Sequence, residues 1–485
     1  MPQLNLAFDA IARDTPELPA LVDGTTTIDY ATLAAMVRRA AGSLRRAGLA
    51  PGDMVGLSVR AELPRLVLQL GLMRLGCTSV TLASFEPVAA RADLARRCGA
   101  VAVVSDPGVA HDEALSVIVP DLEAIRSGTA LEREGHGLPL PDGAVAAVVL
   151  TSSGTTGKPK LIRRTQAQLL GYDQAEWPPR AATVSNMASP AESNAWTWVS
   201  LANLVRRRKV VFLAGDEAAF PEACGRAGVT KTFVWPARLP DLAARCGAVP
   251  GGSPLRDTCV LTGGSPVAPE LQRTVLEHVT PHLVIQYGAT EAGVVTWLRA
   301  DPDRFEPGAV GYPMPGFELA VFDDDGRRLP AGETGFVRIR SLWTATEYWQ
   351  DEEATARAFV DGWWQPGDLG RLDADGLLTF AGRGDDMMMM NSINIFPAEI
   401  ERVAAVFPAV AECAAFPVAA PRYGQLPVLA VVAGPGFDAA ALMAHCRERL
   451  GVRAPRKIVT VDALPRNTAG KVLRRELSER FALPG

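Results

Sequence analysis

Lysine is scarce in this chain. Of the 49 basic residues among 485, six are lysine: Lys158, Lys160, Lys209, Lys231, Lys457 and Lys471. A chain so biased toward arginine keeps a lysine most readily where a compact, flexible ammonium does something a guanidinium cannot. Cysteine is thin and scattered, at Cys77, Cys98, Cys224, Cys246, Cys259, Cys413 and Cys446. An odd count without any C-x-x-C argues against a disulfide framework and against a zinc site. Most of these cysteines read as small buried hydrophobes. The five histidines show no ligand spacing either. No apolar run approaches the ~18–20 residues of a membrane span, so none is expected. The opening MPQLNLAFDAIARDTPELPA meets acidic residues at once and lacks the basic-then-apolar build of a signal peptide. A cytoplasmic protein is the simplest expectation. The net charge of −5 supplies no basic footprint, so no nucleic-acid partner is expected.

The remaining composition, 48% hydrophobic and 21% charged, is that of a globular protein. The length exceeds one typical core, so two or more domains are expected. Residues 53–59 read as a strand. Glu62–Leu75 carries an apolar helical stripe at 63, 66, 67, 70 and 73. A strand over 78–83, a helix over 87–97 and a strand over 101–105 continue the alternation. Such βαβ units imply a parallel sheet wrapped by helices. From 311 to 380 the texture changes to short strands broken by Gly, Pro and Asp-Gly turns, a small β-rich subdomain. After Asp385 a new α+β unit begins. It has helices over 397–406 and 439–450, strands near 411–418, 427–432 and 457–461, and a final helix. The expected fold is therefore α/β: a large N-terminal domain, residues 1–384, of parallel βαβ sheets plus the β-rich part, then a small mobile α+β domain, 385–485.

The densest chemistry follows a buried-looking strand, Ala144–Leu150. It reads Thr151-Ser152-Ser153-Gly154-Thr155-Thr156-Gly157-Lys158-Pro159-Lys160. Glycine lets backbone N–H groups approach an anion, hydroxyls donate to it, and lysine neutralises its charge. The spacing is not that of a Walker A loop. Composition alone leaves a polar surface loop open as the alternative.

TSSGTTGKPK resembles the signature loop of the acyl-adenylate-forming superfamily, which includes acyl- and aryl-CoA synthetases, peptide-synthetase adenylation domains and luciferases. Four further motifs follow in that superfamily's order: Tyr287-Gly288-Ala289-Thr290-Glu291, Gly367-Asp368, the hinge-like Gly382-Arg383-Gly384-Asp385-Asp386, and Pro465-Arg466-Asn467-Thr468-Ala469-Gly470-Lys471. Any one is weak; five in order are highly specific, and they span the chain from about residue 20 to 480. The resemblance implies an ATP- and Mg²⁺-dependent ligase. It would activate a carboxylic acid as an acyl-AMP and pass it to the thiol of CoA or of a carrier-protein phosphopantetheine.

The same resemblance implies roles residue by residue. Ser152 to Lys158 and Lys160 would cradle phosphates. Gly263, Gly264 and Ser265, with Gln286 to Ala289, would line the adenine site, Tyr287 lying against the base. Thr290 would donate to the α-phosphate, and Glu291 would hold Mg²⁺, a hard cation suited to oxygen. Asp368 would accept from the ribose hydroxyls, with Arg383 reaching the ribose or phosphate. Lys471 would supply the fixed cation needed where a carboxylate attacks a phosphate, two anions meeting. Asp385 would be the hinge on which the small domain turns between the two half-reactions. Taken singly, Tyr287 reads equally as a core tyrosine, Asp368 as a turn residue and Lys471 as a solvated lysine.

Two stretches depart from the superfamily's pattern. After the hinge many members carry a lysine and then a glycine, where this chain has Met389 and Ser392 within Met387-Met388-Met389-Met390. The thioethers suit either an adaptable surface for a pantetheine arm or core packing. Some forty residues after the phosphate loop, Pro-x-x-His or an aromatic gate is usual. Here Pro190-Ala191-Glu192-Ser193-Asn194-Ala195-Trp196-Thr197-Trp198 puts Ser193 at the histidine position. Ser193-Asn194 and GKPKLIRRT are similar to dihydroxybenzoate-AMP ligases. Asn194 would then bond a polar group of a small acid, walled by Trp196 or Trp198, though a tryptophan there also suits the core. No carrier attachment motif follows Lys471, so the acceptor is expected in trans. Three rivals stand beside this reading: a stand-alone enzyme charging a dedicated carrier protein, a luciferase-like oxygenase, and a non-catalytic acid sensor on the same fold.

Overall fold

The computed structural model describes residues 4–152, 159–171, 183–185, 191–212, 220–301, 303, 306, 308–384, 386–390, 393–420, 424–466 and 470–482. The alternation read from the sequence produces a six-stranded sheet. Its order is Ser116–Ile118, Ala102–Ser105, Met54–Ser58, Thr78–Thr81, Ala146–Ser152, Lys160–Thr165. The first five strands run parallel and the last returns antiparallel to Ala146–Ser152. Helix Glu62–Leu75 spans the expected residues and is buried over nearly its whole length. It ends at Gly76, whose φ of 85° is the left-handed cap that glycine adopts without strain.

A second parallel run joins Pro19–Asp23, Lys209–Phe212, Thr183–Ser185, Lys231–Phe233, Cys259–Gly263 and Leu283–Ala289. Past Leu283–Ala289 the pairing turns antiparallel through Gly293–Arg299 and Ala309–Pro313. The latter pairs with Leu378–Arg383, which brings in the β-rich stretch with Asp368–Leu372 and Thr334–Arg340. Ligands of open parallel sheets bind beyond the carboxyl ends of the strands. Here three such ends, those of Ala146–Ser152, Cys259–Gly263 and Leu283–Ala289, carry the chemistry-bearing motifs.

The smaller C-terminal domain has its own five-stranded sheet, Ile393–Ile395, Met388–Met390, Gly424–Ala433 and Val410–Ala420 in order, with Lys457–Thr460 beside Gly424–Ala433. Helices Pro397–Ala405 and Ala439–Leu450 match their expected positions within a residue. Met388 and Met390 are 0% and 3% exposed and belong to this domain's core, alternate residues of a strand turned to one face. For these two of the four methionines, core packing is the outcome. The seven cysteines are free, all but Cys413 fully buried. Burial pushes the Cys98 and Cys77 thiols up to about 11 and about 12, the range of inert structural cysteines.

Candidate active site

Strand Leu283–Ala289 ends in the tyrosine motif, and Asp368 opens the strand Asp368–Leu372 after Gly367, whose φ is +82°. Arg383 closes Leu378–Arg383 directly across from Asp368. Three strands thereby converge on one carboxylate. The Tyr287 hydroxyl donates to Asp368 Oδ2 at 2.5 Å, and Arg383 Nη1 donates to Asp368 Oδ1 at 3.0 Å and to the Pro366 carbonyl at 2.9 Å. The Gly384 N–H closes the turn on the Gly367 carbonyl at 2.8 Å. Asp368 is 7% exposed, so its charge is balanced where it lies rather than by water. Burial, then the Asp368 charge, holds the Tyr287 phenol well above its ordinary range, so it remains a donor.

The glycines of TGGSP have a packing reason. A Cβ on Gly263 would lie 2.3 Å from the Gln286 carbonyl oxygen of the neighbouring strand. Gly264 has φ +88°, and a Cβ there would strike the Trp235 ring at 2.8 Å. These positions demand glycine whether or not a base lies over them.

Glu291 is 6% exposed, and its Oε1 accepts from the Tyr348 hydroxyl at 3.0 Å. Its carbonyl accepts from Ala345 N–H at 2.7 Å and from the guanidinium of Arg164, which also holds the Thr290 carbonyl at 2.8 Å. Lys160 lies with its Nζ 4.4 Å from the centroid of the Tyr348 ring. Neither Tyr348 nor Arg164 was singled out by the sequence reading. One is a loop tyrosine and the other a residue of an arginine pair, and neither stands out by spacing. Among the described residues no three His, Cys, Asp or Glu gather to hold a metal. A lone buried carboxylate nevertheless fits magnesium, which commonly takes one or two carboxylates and completes its shell with substrate phosphates and water.

Ser153 to Lys158 lie outside the described residues, as does Asp385. Ser152 and Lys160 are register partners at the mouth of the hairpin that flanks the loop. Lys471 is exposed, on a loop closed at its base by Leu473 N–H on the Pro465 carbonyl at 2.8 Å. Arg466 spans that loop, donating to the Gly470 carbonyl at 2.7 Å and to Glu412 at 2.6 Å. Gly470 has φ +76°, and a Cβ there would sit 3.8 Å from the Ala237 Cβ. Gly470 thereby lies near the turn that follows Trp235, the residue behind Gly264.

The acid side is different. Ser193 caps helix Asn194–Leu204, its hydroxyl accepting from Trp196 N–H at 3.2 Å. Of the two places open to Trp196, pocket wall or core, it takes the core. It is 1% exposed, stacks on Phe212 at 5.8 Å and donates its indole N–H to Glu62 at 2.9 Å. A large apolar ring with one satisfied donor is a core residue. The side chains of Asn194 and Trp198 lie outside the described residues.

Residues 8–349 match the model of the AMP-binding enzyme family, and 399–471 that of the AMP-binding enzyme C-terminal domain. The chain belongs to the AMP-binding enzyme family. A 2-succinylbenzoate–CoA ligase of Geobacillus kaustophilus is 30% identical over 96% of this chain and 95% of its own. A fatty acid–[acyl-carrier-protein] ligase of Streptomyces coeruleorubidus is 29% identical over 97% and 95%. Among solved structures, ATP-bound MatB from Rhodopseudomonas palustris superposes with TM-score 0.85 at 26% identity, covering 99% of both chains. No helix among the described residues is long and apolar enough to cross a membrane.

Proposed function

We propose that this AMP-binding enzyme joins a carboxylic acid to a thiol in two steps. In the first, a carboxylate oxygen attacks the α-phosphorus of ATP and pyrophosphate leaves. In the second, a thiol sulfur attacks the acyl carbon and AMP leaves. The observation that carries the reading is the convergence of Tyr287, Arg383 and Asp368 beside the Thr290-Glu291 turn, at the carboxyl ends of parallel strands.

Asp368 is the acceptor for the ribose hydroxyls, with Arg383 beside it. Gly263 to Ser265 and Gln286 to Ala289 form the walls of the base site. Ser152 to Lys158 and Lys160 bind phosphates, and Thr290 donates to the α-phosphate. Mg²⁺ on Glu291 would supply neutralisation of phosphate charge. Lys471 stabilises the joining anions, and the nearness of Gly470 to the Ala237 turn supports an adenylating pose. Asp385 is the hinge between domains 1–384 and 385–485, freeing the second step from the first. The acceptor is CoA or a carrier-protein phosphopantetheine, in the cytoplasm.

The acid is small, aromatic or short and functionalised, and Asn194 selects it. Support comes from GKPKLIRRT and from the aryl-acid ligases among the relatives. The acyl-carrier-protein ligases at 29% identity favour carrier charging as the second reading. A pyrophosphate-release screen over aryl, fatty and amino acids tests the whole. One aryl acid or short functionalised acid should stand out, and mass spectrometry of its CoA and carrier products then names the acceptor. No acid-dependent release from any class would refute the reading.

A further inference from the structure

Tyr348 and Arg164 are the two side chains that grip the Thr290-Glu291 turn, and both are buried, at 4% and 0% exposure. Arg164 belongs to the strand Lys160–Thr165 that leaves the phosphate loop. One guanidinium takes three carbonyls: Trp343 at 2.6 Å, Thr290 at 2.8 Å and Glu291 at 2.5 Å. A second tie crosses the same seam, Trp349 N–H on the Leu161 carbonyl at 2.8 Å.

At Tyr348 the direction of the hydrogen bonds is fixed by chemistry. The Trp364 indole can only donate, and it points its Nε1 at the Tyr348 oxygen at 3.4 Å. The phenol proton is then committed to Glu291 Oε1, 3.0 Å away. With Oε1 engaged, the carboxylate cannot rotate freely, and Oε2 is left to bind. The Tyr348 ring meanwhile carries the Lys160 ammonium on its face at 4.4 Å.

We propose that Tyr348 and Arg164 are positioning residues: Tyr348 orients the Glu291 carboxylate for Mg²⁺–ATP, and Arg164 locks the Thr290-Glu291 backbone to the phosphate-loop hairpin. This rests on the reading of Glu291 as the magnesium ligand.

The test is equilibrium binding of a fluorescent ATP analogue to the full chain, with Mg²⁺ titrated, for wild type, Tyr348→Phe and Glu291→Gln. Tyr348→Phe keeps the ring under Lys160 and removes only the hydroxyl. It should raise the Mg²⁺ midpoint about ten-fold, the size of one charge-assisted hydrogen bond, and leave metal-free binding unchanged. Equal weakening with and without Mg²⁺ would mark Tyr348 as merely structural and overturn the proposal. So would an unchanged midpoint in Tyr348→Phe while Glu291→Gln shifts. An unchanged midpoint in Glu291→Gln overturns the metal assignment together with the proposal built on it. Arg164→Lys keeps the charge and loses the fork. It should lower kcat for acid-dependent pyrophosphate exchange about ten-fold, with the KM for ATP within about two-fold. A loss confined to KM would overturn that half.

Discussion

On the nucleotide side, Asp368, Tyr287 and Arg383 arrive from three strands and bond one another. On the acid side, Ser193 caps the helix that carries Asn194, and Trp196 fills the core against Phe212 and Glu62. The first group is pre-organised polar machinery whose members satisfy each other in a buried setting, so its geometry is set before any ligand arrives. The second is scaffolding first. Ser193 fixes a helix start, and Trp196 fills the core beneath it.

That contrast can be broken at several points. Lys471→Ala should lower acid-dependent pyrophosphate exchange by about a thousand-fold or more, while thioester formation from supplied acyl-AMP stays largely intact. Equal loss in both half-reactions, measured separately, would show that the lysine does not divide them. Asp368→Asn should raise the KM for ATP about ten-fold with a smaller change in turnover, because ribose contacts stabilise ground and transition states alike. Steady-state kinetics with ATP varied would expose the opposite pattern, a turnover loss at constant KM.

Asn194→Leu addresses the other side. It should cost about ten- to hundred-fold in kcat/KM for a hydroxylated or aminated acid and much less for the unsubstituted analogue. Matched acid pairs decide it. If both acids fall together, or a long unfunctionalised fatty acid is best, Asn194 does not choose the acid.

A last prediction concerns the scaffold rather than turnover. Burial, partly offset by the Trp196 indole, pushes the Glu62 carboxyl up to about 7. Between the ordinary carboxylate range and 7 the folded state holds a proton that the unfolded chain has lost. Stability therefore falls as pH rises through that window. Glu62→Gln keeps an acceptor for the indole and removes the slope. It should melt above wild type at pH 8, by up to about 3 kcal/mol, and near it at pH 4. Denaturant melts at the two pH values check this; a variant less stable at pH 8 would contradict the buried-acid account.

Much of the fold was legible because its periods are clean. The stripe over Glu62–Leu75, the strands before and after it, and the helix Ala439–Leu450 all stand where spacing puts them. Strand Lys160–Thr165 was not, because KLIRRT sets two arginines side by side, one exposed and one buried, which breaks the alternation. Arg164 is fully buried because three backbone carbonyls receive it, which no spacing announces. Tyr348 meets Glu291 across 57 residues, and only the folded sheet brings them together. The nucleotide motifs were legible from their order, not from any one residue. Trp196 stayed open between pocket wall and core because a tryptophan beside a gate position and a core tryptophan look alike until burial is known.

The account stands on the acyl-adenylate, and oxygen transfer tests it directly. The acid that gives pyrophosphate release is labelled with ¹⁸O in its carboxylate, and the nucleotide product is examined by mass spectrometry after thioester formation. Attack of the carboxylate on the α-phosphorus predicts one ¹⁸O in the phosphate of AMP, with unlabelled pyrophosphate. Unlabelled AMP, or ADP with the ¹⁸O in inorganic phosphate, would contradict it.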